Sequence, residues 1–178
     1  MTALLLAIPL LPLLAAMAAL CVGRRVPWGG GEFVVIAVAL SLILLIFNPD
    51  GANLSATWFE SGGFRLTIGL EVTRLTWFVA MIVASTAVGV GIYSLGYMAE
   101  RPDRPRFFAE LGLFVGAMLT LVLSSSLVLL FAAWELVGLA SYLLISFDYA
   151  KAGAPQAAAK AFLMTRIGDV GLLLGWLL

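Results

Sequence analysis

Long apolar runs separated by short polar segments set the pattern of this chain. A helix that crosses about 30 Å of hydrocarbon needs roughly 20 residues, and apolar runs of about that length recur along the sequence. We predict six transmembrane helices, at about residues 3–22, 28–47, 70–98, 107–123, 127–147 and 157–178. The predicted fold class is therefore all-α, a polytopic transmembrane helical bundle.

One long polar segment interrupts this pattern. Residues 48–69, NPDGANLSATWFESGGFRLTIG, are glycine-rich and alternate near FRLTI, which is typical of an extramembrane loop with a short hairpin. We divide the chain into helices 1 and 2 (1–47), this loop (48–69) and helices 3 to 6 (70–178). Pro9 and Pro12 lie inside helix 1, and we expect neighbouring helices to satisfy the carbonyls that they free.

Composition agrees with a membrane protein and excludes several kinds of site. Hydrophobic residues make up 63% of the chain and charged residues 11%, with a mean hydropathy of +1.11. The net charge is zero, so nothing suggests a nucleic-acid partner. Histidine is absent and Cys21 is the single cysteine, which removes histidine and cysteine metal sites, haem ligation and iron–sulfur ligation. We expect no cofactor, no metal and no catalytic centre.

Lysine and arginine predict the orientation, because basic loops stay in the cytoplasm. The even loops hold only Arg65, with Arg74 near the start of helix 3. Basic residues of the odd loops are Arg24, Arg25, Arg101, Arg104, Arg106 and Lys151. We therefore predict an N-terminus outside and a multi-pass protein of the inner (cytoplasmic) membrane. The final run LLLGWLL has no polar anchor, and we interpret the chain as the N-terminal part of a longer one or as one whose end a partner subunit covers.

Glu135 lies within the apolar run AAWELVGLASYLLISF, residues 132–147. An ionisable group at membrane depth costs several kcal/mol and usually faces a partner or a hydrated cavity. Its own helix offers no basic residue one turn away, and Tyr142 on the same helical face can donate a hydrogen bond. We predict that Glu135 is functional, with Tyr142 in a supporting role.

Helix 6 carries Arg166 and Asp169, three residues apart and able to pair on one face. The pair either fixes helix packing or gates transport, and Arg166 lies at a depth from which it can reach Glu135. Lys160, just inside helix 6, is a further supporting candidate. Two other pairs, Glu71 with Arg74 and Arg106 with Glu110, lie near helix ends, where we expect structural, interfacial ion pairs. Two G-x-x-x-G patterns, Gly112/Gly116 and Gly171/Gly175, predict close helix packing.

Three blocks of the sequence carry a family resemblance. IYSLGYMAERPDRPRFFAELGLF, LVLLFAAWELVGLASYLLISF and AAAKAFLMTRIGDVGLLLG follow one another between residues 92 and 175. They resemble, in order and spacing, the antiporter-like membrane subunits of respiratory complex I, above all the L-type subunit of NADH:quinone oxidoreductase. Leu136 departs from the glycine that L-type subunits more often have. Trp-Glu-Leu also occurs in the other complex I antiporter-like subunits, in Mrp-type cation/proton antiporters and in the membrane subunit of energy-coupled inorganic-carbon uptake systems, so the branch stays open.

The resemblance implies roles for three residues. The family's helix 5 glutamate falls on Glu135, where it would neighbour a lysine of a broken helix 7 and modulate that lysine's proton affinity. The family's T-R-x-G-D block places Arg166 and Asp169 near the subunit boundary or the proton entry route. The family's central lysines and histidines lie beyond helix 6, so this chain corresponds to about the first third of a full-length member.

The function that follows is translocation of protons, or of another cation such as Na⁺, by an antiporter-like subunit. Its expected partners are the lipid bilayer and the other membrane subunits of a larger complex. Two alternatives stay open. The chain either couples ion flow in an inorganic-carbon uptake system or Mrp-type antiporter, or it is a membrane scaffold subunit that transports nothing.

Overall fold

The computed structural model describes residues 2–48, 51–61 and 64–177, and the side chains of residues 4–48, 51–60 and 67–176. Within these ranges the chain forms six α-helices and one antiparallel hairpin, which confirms the predicted helical bundle. The helices are α1 (Thr2–Val22), α2 (Gly31–Phe47), α3 (Arg74–Tyr97), α4 (Arg104–Leu123), α5 (Leu127–Ile145) and α6 (Ala154–Leu177). A 3₁₀ turn, Gly23–Arg25, follows α1, and the hairpin consists of β1 (Asn53–Ser61) and β2 (Phe64–Glu71).

Four helices, α1, α3, α4 and α5, are long and apolar enough to cross a membrane by length and composition. Helix α2 is equally apolar but has 17 residues. Helix α6 has 24 residues, about 36 Å at 1.5 Å per residue, and it carries Lys160, Arg166 and Asp169. Its charged residues, rather than its length, distinguish α6 from the four helices α1, α3, α4 and α5.

Connections between helices alternate between two ends of the bundle. At one end, Arg101 beside α4 bonds Asp148 of the α5–α6 turn at 2.7 Å. At the other end, the hairpin meets the α4–α5 link, where Ser125 N–H donates to Gly69 O at 2.9 Å. This up-and-down arrangement agrees with the predicted loop order. Which end faces the cytoplasm stays a prediction from the basic residues, and the side chain of Arg65 lies outside the described part of the chain.

Helix α1 contains proline at position 12, and the neighbouring helix α2 satisfies the carbonyl that this proline leaves without a donor. Proline at position 12 has no N–H to donate to the carbonyl four residues earlier, which is that of Ile8. The buried Ser41 hydroxyl of α2 donates to Ile8 O at 2.7 Å. The freed carbonyl is therefore satisfied across the helix interface, as the sequence led us to expect.

Helix α4 is the centre of the bundle and packs against α1 through small residues. A Cβ added to Gly112 would lie 3.0 Å from Pro12 O, and one added to Gly116 would lie 2.5 Å from Leu13 Cγ. The first G-x-x-x-G pattern is thus a close helix contact. Gly171 and Gly175 of the second pattern have no described neighbour within 4 Å of such a Cβ, so that pattern makes no contact in the described chain.

Helix α3 begins later than predicted, which corrects the placement of Glu71. The hairpin extends to Glu71, and Thr73 then caps α3: its hydroxyl accepts from Thr76 N at 3.2 Å, and Thr76 Oγ1 accepts from Thr73 N at 2.9 Å. Glu71 is therefore the last strand residue and Arg74 the first helical one, so the two do not share a helical turn.

Candidate functional site

Helices α5 and α6 form a hairpin at one edge of the bundle, and four side chains meet between them. Trp134 and Glu135 come from α5, and Arg166 and Asp169 come from α6. Glu135 is about 15 Å from the α5 end at Ile145, and Arg166 about 18 Å from the α6 start at Ala154, at 1.5 Å per residue. The cluster therefore lies near the middle of both helices.

Arg166 is the cation of this cluster. Its Nη1 contacts the Glu135 carboxylate, its Nη2 donates to the Glu135 main-chain oxygen at 3.3 Å, and Nη1 is also 3.5 Å from Asp169 Oδ2. Glu135 thus has a charge partner, which the search along its own helix could not reveal. Arg166 contacts both carboxylates, so the pair expected within α6 is accompanied by a second pair that reaches across to α5.

Asp169 is held by a residue that the sequence reading missed. Trp134 Nε1 donates to Asp169 Oδ1 at 2.8 Å, and Asp169 is 7% exposed. The signal was present in the sequence, because an indole N–H in an apolar helix usually finds an acceptor. What the sequence could not provide is the rotation of α5 against α6, which decides the acceptor.

A cavity of about 230 Å³ adjoins the cluster between α4, α5 and α6. Its wall includes Ser141, Tyr142 and Thr165 together with Arg166 and Asp169. Tyr142 packs against Phe162, with ring centroids 5.4 Å apart, and the Arg166 guanidinium lies over the same Phe162 ring at 4.4 Å. The cavity is large enough for several waters and offers hydroxyl partners for them.

The other candidate residues lie away from this cluster. Lys160 is exposed on α6, six residues before Arg166. Arg106 Nε pairs with Glu110 Oε1 at 2.7 Å on α4, beside a groove of about 450 Å³ that also includes Leu13 and Met17 of α1. Among the described residues no group of three or more His, Cys, Asp or Glu is placed to hold a metal ion.

At one end of the bundle, charged residues connect the turn between α3 and α4 with the turn between α5 and α6. Arg101 bonds both Asp103 and Asp148, and Lys151 adds a contact of 2.9 Å to Asp148. The hydrogen bond from Arg101 holds the pKa of Asp148 below its usual range, and Lys151 lowers it further. The same guanidinium lowers the pKa of Asp103. This network ties the α3–α4 turn to the α5–α6 turn.

Comparison with known proteins identifies the family. A family model described as NADH-ubiquinone oxidoreductase (complex I), chain 5 N-terminus, matches residues 58–108. A second, described as NADH:quinone oxidoreductase/Mrp antiporter, TM, matches residues 124–178, which contain the whole α5–α6 cluster. The chain belongs to the antiporter-like membrane subunit family of complex I. The resemblance seen in the sequence is therefore confirmed, and the chain is a membrane-embedded, multi-pass member of that family.

Individual relatives match along nearly the whole chain. NADH-quinone oxidoreductase subunit L of Mycobacterium tuberculosis is 41% identical over 179 residues, covering 94% of this chain and 28% of that protein. F(420)H(2) dehydrogenase subunit L of Methanosarcina mazei is 42% identical over 177 residues, covering 94% and 26%. A chain of the membrane-bound sulfane sulfur reductase, an archaeal respiratory membrane complex, superposes with a TM-score of 0.74 at 25% identity, covering 96% and 26%. The chain spans about a quarter of the length of these relatives.

Proposed function

We propose that this chain forms a six-helix segment, α1 to α6, of an antiporter-like subunit that moves protons across the membrane within a complex I-type respiratory assembly. Family membership supports the assembly, and the Glu135–Arg166–Asp169 cluster supports the proton step. The observation that carries the proposal is the contact between Arg166 and Glu135 at mid-helix depth. An ion pair at that depth places a protonatable group inside the helical bundle rather than in a solvent-exposed loop.

The physical basis of the step is competition for one cation. A carboxylate in a low-dielectric environment binds a proton more readily, and a nearby positive charge favours its ionised form. With Arg166 on Glu135, that carboxylate releases its proton; with Arg166 displaced towards Asp169, Glu135 takes one up. Because Arg166 Nη1 already lies 3.5 Å from Asp169 Oδ2, a small movement of the guanidinium changes its partner.

The surroundings of the cluster favour H⁺ over Na⁺. Sites for Na⁺ in transporters use unwound backbone carbonyls and helix ends. Helices α5 and α6 are continuous through the cluster, and the groups that contact the two carboxylates are an indole N–H and a guanidinium, which are donors. Such a cluster can gain or lose a proton without assembling an oxygen cage.

The proposed partners are the other membrane subunits of a respiratory complex in the cytoplasmic (inner) membrane. The matched relatives are named for different reactions, with NADH-quinone oxidoreductase, F(420)H(2) dehydrogenase and sulfane sulfur reductase among them. Helices resembling α1 to α6 thus occur in complexes with different redox substrates. We assign this segment to the ion step and leave the choice of electron donor and acceptor to other subunits.

Replacing Glu135 by glutamine tests the proposal. In the intact complex, in inverted membrane vesicles, Glu135→Gln should assemble and oxidise the electron donor while proton uptake, followed with a pH-sensitive dye, falls at least about tenfold, because glutamine cannot carry a proton. Glu71→Gln is the matched control, since Glu71 lies in the hairpin outside the cluster, and it should pump normally. Wild-type proton uptake by the Glu135→Gln complex would overturn the proposal and favour a scaffold subunit.

A further inference from the structure

We infer that Trp134 is a positioning residue of the ion site: its indole N–H fixes Asp169 and thereby keeps Arg166 on Glu135. The inference rests on the proposed function and concerns a residue that acts through its neighbours. It gives a role to the observation that the consecutive residues Trp134 and Glu135 of α5 contact Asp169 and Arg166 of α6, respectively.

The contacts divide the two carboxylates between two donors. Asp169 receives its short hydrogen bond, 2.8 Å, from Trp134 Nε1, while Arg166 stays 3.5 Å away. Glu135 receives the guanidinium. An indole nitrogen can only donate, and a hydrogen bond to an ionised acceptor is stronger than one between neutral groups. Trp134 therefore holds the Asp169 carboxylate through Oδ1, in an orientation that keeps Oδ2 3.5 Å from Arg166.

The net charge of the cluster explains why the neutral indole of Trp134 suits this position. Glu135 and Asp169 share Arg166, so in the ionised cluster two negative charges face one positive charge. Helix α4 adds Met118 and Leu121 to the adjoining cavity, and its own ion pair, Arg106 with Glu110, lines the groove towards α1. Lys160 is exposed on α6. A cation in place of Trp134 would neutralise the cluster, whereas the indole orients Asp169 and leaves one negative charge for a proton.

Removal of the indole donor should move Arg166. In the described structure Arg166 is the other donor close to Asp169, so Asp169 without its hydrogen bond draws the guanidinium away from Glu135. Glu135 and Asp169 then share Arg166 as their donor, without the Trp134 N–H. The cluster should hold its proton to higher pH and release it less readily.

The test uses Trp134→Phe in the intact complex, which keeps an aromatic ring and removes the N–H. We expect normal assembly and donor oxidation, with the alkaline limb of the pH profile of proton pumping displaced upwards by about 1 unit, a tenfold change in proton affinity or about 1.4 kcal/mol. Trp176→Phe is the matched control: Trp176 packs edge-on against Phe131 of α5, and its replacement should leave the profile in place.

A second variant separates positioning from packing. Replacement of Trp134 by 3-benzothienylalanine keeps the size and shape of the indole but has sulfur where the N–H was, and it should reproduce the displaced profile. An unmoved profile in the benzothienyl variant, or an equal displacement in Trp176→Phe, would overturn the inference. Glu135→Gln separately tests whether the cluster pumps protons at all. If Glu135→Gln abolishes pumping but Trp134→Phe leaves the pH profile unmoved, the positioning role alone is overturned.

Discussion

Glu135 shows what a sequence can and cannot reveal at the scale of one residue. Its depth followed from the length of the apolar run, and its proposed role rests on the cost of a charge there. Its depth also placed Arg166 of the next helix within reach, but spacing along the sequence could not decide whether Arg166 contacts Glu135, Asp169 or both. Arg166 reaches Glu135, and the pairing of Trp134 with Asp169 depends in the same way on how α5 and α6 are rotated against each other.

The contact between Arg166 and Glu135 predicts the behaviour of charge exchange. Glu135→Arg or Arg166→Glu alone should leave like charges facing each other, at a cost of about 3 kcal/mol, the lower end for buried pairs because each side chain keeps roughly a quarter of its surface exposed. The double exchange, E135R/R166E, should recover assembled complex on native gels, since the pair is restored. It should still fail to pump, because the protonatable group now stands on α6.

Two outcomes would contradict this prediction. If the double exchange assembles no better than either single variant, the pair does not hold α5 and α6 together. If it pumps like the wild type, the position of the carboxylate is irrelevant and the cation competition described above is wrong. Exchange of Arg166 with Asp169 is less informative, because it would place a second carboxylate against Glu135.

At the scale of elements, apolar run length located the helices and local chemistry set their ends. The sequence prediction began helix 2 at residue 28, but Gly29 and Gly30 adopt positive φ angles of 67° and 81°, so α2 begins at Gly31. Helix 3 began at residue 70 in the prediction, but the Thr73 cap delays it to Arg74. Such corrections come from hydrogen bonds and backbone angles that hydropathy does not contain.

The contact of α1 with α2 gives a prediction about stability. Ser41→Ala should lower the free energy of unfolding by about 1–3 kcal/mol, because the buried Ile8 carbonyl loses its donor. In a Pro12→Ala background, residue 12 regains an N–H for that carbonyl, so the further loss from Ser41→Ala should be much smaller. Thermal denaturation of the purified complex measures both. An equal loss in the two backgrounds would show that Ser41 does not replace the bond that Pro12 removes.

The ion pair between Arg101 and Asp148 predicts how the stability of the fold depends on pH. The pKa of Asp148 is held below its usual range, so the ion pair with Arg101 stabilises the fold above the unfolded-state pKa of about 3.9 and is lost as pH falls through the lower folded-state pKa. The melting temperature of the purified complex should therefore exceed that of Asp148→Asn at neutral pH, and the difference should narrow below about pH 4. A difference that is constant with pH would mean that the charge of Asp148 is not what links the two turns.

At the scale of the molecule, the described bundle has an exposed apolar edge formed by α6. Helix α6 packs mainly against α5, and large apolar side chains such as Met164, Ile167 and Val170 remain exposed on it. The matched relatives are about four times as long. We expect this exposed face of α6 to meet other helices or lipid.

The number of protons translocated per electron pair decides whether this cluster moves protons. The purified complex would be reconstituted into liposomes and the ratio measured for the wild type, Glu135→Gln and the control Glu71→Gln. We expect a normal ratio for Glu71→Gln and a ratio near zero for Glu135→Gln with electron transfer retained. A Glu135→Gln complex that moves as many protons per electron pair as the wild type would contradict this expectation.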